Sequence, residues 1–108
     1  MITIDFTTKP KEIIHDYDIN KFGTKCLYDH NGELHSVNDL PAVIYPDGTK
    51  YWYKHGKLHR NNDLPAVICP DGTKGWFKHG LKHRENNLPA VMYSWERKEY
   101  WANGKKIK

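Results

Sequence analysis

Trp52-Tyr53-Lys54-His55-Gly56-Lys57-Leu58-His59-Arg60-Asn61-Asn62-Asp63-Leu64-Pro65-Ala66-Val67 decides the fold, because it returns in altered form 24 residues later, from Trp76 to Val91. Self-similarity at a fixed period marks a chain built from stacked supersecondary units. Working outward, Gly32, Gly56, Gly80 and Gly104 keep the same spacing, and so do His35, His59 and His83. Leu40-Pro41-Ala42-Val43 precedes the two later Leu-Pro-Ala-Val segments by the same period. Pro46-Asp47-Gly48-Thr49-Lys50 recurs from Pro70 to Lys74, and Ser94-Trp95-Glu96-Arg97-Lys98 stands in its place in the last copy. The recurrence spans residues 23–108 as four units, the last truncated, and leaves residues 1–22 as a segment of another kind.

Each unit reads as strands and tight turns. Ala42 to Tyr45 is a short apolar run, and Pro46-Asp47-Gly48 is a turn in which proline fixes φ and glycine accepts a positive φ. Lys50 to Lys54 is an aromatic strand. His55-Gly56 is a two-residue hairpin turn with both residues at positive φ. Pro65 bars a central-strand position in the loop that follows. No helical period is present in any unit, so the expected fold class is all-β: a stack of β-hairpin or meander units of about 24 residues. At the N-terminus Ile2, Ile4 and Phe6 alternate like a strand. Thr8 to His15, with Pro10 near the first helical position, predicts a helical turn. Together they would cap the open end of the stack.

The hairpin register sorts the side chains. A His55-Gly56 turn pairs Lys54 with Lys57, Tyr53 with Leu58, Trp52 with His59 and Tyr51 with Arg60. The same count sets Tyr28 opposite His35, Trp76 opposite His83 and Tyr100 opposite Ile107. Alternate strand residues face opposite sides. Tyr28, Trp52, Trp76 and Tyr100, with His35, His59 and His83, are therefore expected as an inward structural ladder. Tyr53, Phe77 and Trp101, with Arg60 and Arg84, are expected on the outer face.

Composition narrows the function classes. The 108 residues hold 17 Lys+Arg against 13 Asp+Glu, a net charge of +4, and 13% aromatics. Mean hydropathy is −0.85. One small domain with a thin core fits this length. No run approaches the roughly 18 apolar residues of a membrane span, and Met1 to Phe6 lacks the features of a secretory signal. Cys26 and Cys69 are too few for a disulfide scaffold and suit a reducing compartment, so a cytoplasmic setting is expected. Fourteen aromatics argue against disorder.

Trp52-x3-Gly56-x2-His59-Arg60-x3-Leu64-Pro65-Ala66, repeated from Trp76 through Ala90, resembles a tandem repeat of tailed-phage and large-virus proteins. It is also similar to a distant variant of the MORN repeat, a β-hairpin unit of comparable length. The resemblance implies a non-enzymatic module for binding or tethering. A phage origin would further imply a small inhibitor or modulator of a host defence protein, acting in the host cytoplasm.

The candidate site residues carry competing readings. His55-x3-His59 and His79-x3-His83 have zinc-like spacings. A two-residue hairpin sends those side chains apart, however, so structural histidines are expected and no metal or other cofactor. Arg60 and Arg84 either grip phosphates or an acidic partner or pair with the loop acids Asp39 and Asp63. Tyr53, Phe77 and Trp101 form a candidate aromatic stripe, with the look of a protein-interface hot spot or of a single-stranded nucleic-acid platform. The lysines are solvated edge residues. Asp47 and Asp71 are turn formers, too sparse for a calcium site. No catalytic motif is present, and no enzyme is expected. The function expected is protein binding through Tyr53, Phe77, Trp101, Arg60 and Arg84. The alternative is nucleic-acid or nucleotide binding by the same groups. Edge pairing into a homodimer is a further option.

Overall fold

The computed structural model describes residues 17–108. The expectations for Ile2, Ile4, Phe6 and Thr8 to His15 lie outside the described residues. The fold is all-β, as expected. Its strands are two residues long because a turn or a change of direction follows every pair. They are β1 (Asp18–Ile19), β2 (Lys25–Cys26), β3 (Val43–Ile44), β4 (Lys50–Tyr51), β5 (Tyr53–Lys54), β6 (Lys57–Leu58) and β7 (Val67–Ile68). The others are β8 (Lys74–Gly75), β9 (Phe77–Lys78), β10 (Leu81–Lys82), β11 (Val91–Met92), β12 (Lys98–Glu99), β13 (Trp101–Ala102) and β14 (Lys105–Lys106).

Eight strands form one narrow antiparallel sheet in the order β1-β2-β3-β4-β7-β8-β11-β12, and the hairpins β5-β6, β9-β10 and β13-β14 stand beside it. The radius of gyration is 16.1 Å, against about 13 Å for a compact domain of this length. The core is correspondingly thin: Ala42, Ala66 and Ala90 are fully buried, with Leu27, Val43, Trp52, Trp76 and Val91 close behind.

The turn chemistry follows the residues. His55 and Gly56 have φ of 44° and 84°, and His79-Gly80 and Asn103-Gly104 match them. Tyr53 pairs with Leu58 and Lys54 with Lys57, the register expected. The Pro46-Asp47-Gly48 loop closes with a Gly48 N–H bond to the Tyr45 carbonyl and a Tyr45 N–H bond to that of Thr49. Asp47 Oδ1 accepts the Thr49 amide at 2.9 Å. Between units, Asn38-Asp39, Asn62-Asp63 and Asn86-Asn87 all lie at positive φ, a conformation that Asn and Asp tolerate better than other side chains. Each alanine then links two units through its backbone. Ala66 N–H bonds the Gly75 carbonyl, while its own carbonyl accepts Trp52 N–H at 2.8 Å.

Three register expectations need correction. Lys50 to Lys54 is not one strand. It breaks at Trp52, so Tyr51 pairs with Val43 and Val67 in the main sheet rather than with Arg60. Tyr28 does not face His35. It bridges to Leu34, and the His35 amide bonds the carbonyl of Leu27 instead. The cause is the extra residue of the first unit, which makes its turn a three-residue loop, His30-Asn31-Gly32, where later units have two. The inward ladder is therefore Leu27, Trp52, Trp76 and Tyr100. Leu27 is buried, whereas Tyr28 is 47% exposed and joins the row of Tyr53, Phe77 and Trp101.

Candidate binding faces

Arg60 and Arg84 belong to the interior bracing of the stack. Arg60 lies 3.7 Å over the Trp52 ring and donates twice to Asp39, at 3.0 and 3.1 Å. Its Nη1 also bonds the Pro65 carbonyl at 3.0 Å. Arg84 repeats the arrangement on Trp76, Asp63 and Pro89. The indole Nε1–H groups of Trp52 and Trp76 bond the carbonyls of Asp39 and Asp63. The arginine side chains are only 13% and 14% exposed, so the expectation that they share the solvent-facing side is corrected. Of the two readings the sequence left open for them, the geometry displays pairing with the loop acids. Hydrogen bonding to Arg84 holds the Asp63 carboxyl below the usual range.

The histidines join successive units. Nδ1 of His35, His59 and His83 accepts the backbone N–H of His55, His79 and Asn103, at 3.0, 3.0 and 2.9 Å. That geometry requires Nδ1 to be unprotonated. In His59 the Nε2–H is then free to donate to Asn61 Oδ1, 2.8 Å away. His83 Nε2 lies 2.5 Å from Glu85 Oε2. The rings also face one another across units, His35 against His55 at 4.2 Å and His59 against His79 at 4.5 Å. The sequence reading compared histidines four apart. The pairs that meet are 20 apart, and the signal for them was the 24-residue period less the four residues between ladder and turn.

The remaining faces are set by parity along the short strands. Lys25, Lys50, Lys74 and Lys98 alternate with Ile44, Ile68 and Met92 across one side of the sheet. The four lysines are exposed. On the other side run Val43, Tyr51, Val67, Gly75, Val91 and Glu99, next to the half-buried Tyr53, Phe77 and Trp101. A Cβ on Gly75 would lie 3.1 Å from a Phe77 ring carbon, so the missing side chain lets that ring lie down on the strand. Tyr45 meets Tyr51 edge-on at 5.5 Å, and Tyr93 stacks on Trp95 at 4.8 Å. Trp101 donates its Nε1–H to Glu99 and carries Lys82 over its ring. Burial raises the Tyr53 and Tyr51 hydroxyl pKa values, in keeping with rings partly withdrawn from water.

Two equivalent clefts lie between units. One of about 250 Å³ is lined by His35, Trp52, Tyr53, Lys54 and Arg60 among others. The second, about 260 Å³, has the residues 24 positions on, Trp76, Phe77, Lys78 and Arg84 among them. Among the described residues no helix is long and apolar enough to cross a membrane. The chain matches no family model, no curated protein and no solved structure.

Proposed function

We propose that the protein is a non-enzymatic protein-binding module of the tandem β-hairpin type found in phage and large-virus proteins, acting as an inhibitor or modulator of a host protein. One observation carries the reading. Tyr28, Tyr53, Phe77 and Trp101 occupy the same hairpin position in successive units, none of them fully buried. Aromatic rings held in place by a rigid backbone and partly exposed are the groups from which protein interfaces draw most of their energy. The guanidinium groups of Arg60 and Arg84 are engaged within the stack, over Trp52 and Trp76 and on the loop acids Asp39 and Asp63. The two clefts favour a second reading, a nucleotide or single-stranded nucleic acid with its base against Tyr53 or Phe77 and its phosphate near Lys54 or Lys78.

Affinity capture from a lysate of the natural host, read by mass spectrometry, tests the first reading with Tyr28→Ser/Tyr53→Ser and Trp101→Ser beside the wild type. A partner retained by the wild type and lost in the variants, with melting transitions intact, is expected. Equal capture by all three removes the aromatic row from the interface. A raised 260/280 nm absorbance ratio in the purified protein, with binding that falls steeply in salt, decides for the nucleotide.

A further inference from the structure

The joint between the first and second units differs chemically from those that follow. Asp29, His35 and His55 converge there, and one ligating atom from each lies within 4.8 Å of the other two. His55 Nδ1 is 2.8 Å from Asp29 Oδ2. The Asp29 side chain is 5% exposed, and its Oδ1 accepts the amides of Asn31 and Glu33 at 2.8 and 3.0 Å. The carboxylate is thus fixed by the turn it sits in. The hydrogen bond from His55, then those from the Glu33 and Asn31 amides, lower its pKa to about 2, so it is anionic at neutral pH. At the next joint His59 and His79 repeat the two rings, but Lys54 stands where Asp29 stood. The molecule therefore contains its own control, the same pair of imidazoles without the carboxylate.

We propose that Asp29, His35 and His55 form a site for one late first-row divalent metal ion, with Zn²⁺ as the type. Two imidazoles and a carboxylate are a donor set that suits such ions. Three protein ligands leave a fourth tetrahedral position for water or for a donor from a partner. Stacked rings direct their lone pairs side by side, so binding requires the His55 ring to tilt out of the stack. Its side chain is 56% exposed in a turn, which gives it the room. The bonds formed are N→metal and O→metal. Two hydrogen bonds are given up, His55 Nδ1–H to Asp29 Oδ2 and the His55 amide to His35 Nδ1. The His55 ring keeps one proton, carried on Nε2 once Nδ1 binds the metal, and no oxidation state changes.

Calorimetric titration of the full chain with Zn²⁺ at pH 7.5 reads stoichiometry and affinity together. One ion per chain is expected. Asp29→Asn and His55→Asn should each weaken binding at least about tenfold, and His79→Asn should leave it unchanged. His55→Asn keeps the turn intact, because Asn103 already occupies that turn position at φ 51°. No saturable binding by the wild type overturns the proposal. So does binding by His55→Asn as tight as wild type, or an equal loss in His79→Asn.

Discussion

The first unit and the two that follow it solve the same packing problem with different chemistry. In the second and third, an indole fills the ladder position and a guanidinium covers it, clamped to the carboxylate of the preceding loop. In the fourth, Lys108 lies 4.8 Å over Tyr100, the same pairing in weaker form. In the first, Leu27 fills the position, and Ser36 stands where the cation would be. Ser36 spends its hydroxyl on the Tyr53 amide at 3.1 Å instead. Aromatic and cation therefore appear together or not at all within one chain, as expected if each is useful only with the other. A cation over leucine has no π face to attract it.

The hardest way to break this contrast is to give the third unit the first unit's residue. Trp76→Leu removes most of a buried ring, its hydrogen bond to Asp63 and the face under Arg84. We expect a loss of about 3 kcal/mol in chemical denaturation, within the range for large-to-small core changes plus a cation–π contact. Ser36→Ala in the first unit removes one hydrogen bond and should cost about 1 kcal/mol. Equal costs would mean that the Trp–Arg–Asp brace adds nothing beyond an ordinary side-chain contact.

Much of this was legible in the sequence, for reasons that also mark where legibility ended. His55-Gly56 and Asn103-Gly104 name their turn type locally, so hairpin register followed by counting. Leu27 was missed because the count ran from Gly32. The extra residue falls inside the first turn, and a one-residue shift exchanges the two faces of a strand. Pairing Leu27 with Ser36 and Trp52 with Arg60 would have exposed the shift, since the first pair lacks both aromatic and cation. The break at Trp52 was not legible, because two-residue strands leave no alternation to read. The His35–His55 and His59–His79 contacts depend on how units stack, which a period gives only after the turn geometry is known.

Acid should act on the joints in two stages. Partial burial, then the neighbouring His55, lower the His35 pKa against the pull of Asp29, and Lys54 adds to the lowering. Desolvation and the facing His59 ring do the same to His79, helped by Lys54, Lys78 and Lys57. A histidine whose pKa is lowered by folding takes up its proton first in the unfolded chain. Its contribution is complete above the unfolded value of about 6.5 and is lost as pH falls below it. Asp29, Asp63, Glu85 and Glu99 are lowered as carboxylates, so theirs is lost only below about pH 4. Melting temperature should fall first between about pH 6.5 and 5, then again below 4. His35→Asn should flatten the first fall, and an unchanged first fall in that variant would remove His35 as its source.

The smallest effect lies at the far end of the sheet. The strand-to-strand loops around Gly23, Gly48 and Gly72 each place glycine at φ between 88° and 97°, whereas the last unit places Glu96 there at 71°. A non-glycine residue in that region carries a penalty of about 1–2 kcal/mol. Glycine would relieve it, at the cost of greater freedom in the unfolded chain. The balance predicts that Glu96→Gly stabilises the protein by about 0.5–1 kcal/mol, read as a higher denaturant midpoint at unchanged slope. The Glu96 amide bond to the Tyr93 carbonyl at 3.0 Å does not involve the side chain and survives the change. A lower midpoint would mean that the Glu96 side chain holds this turn through contacts the glycine loops manage without. The last unit would then differ from the others in kind, as the first does, rather than only in strain.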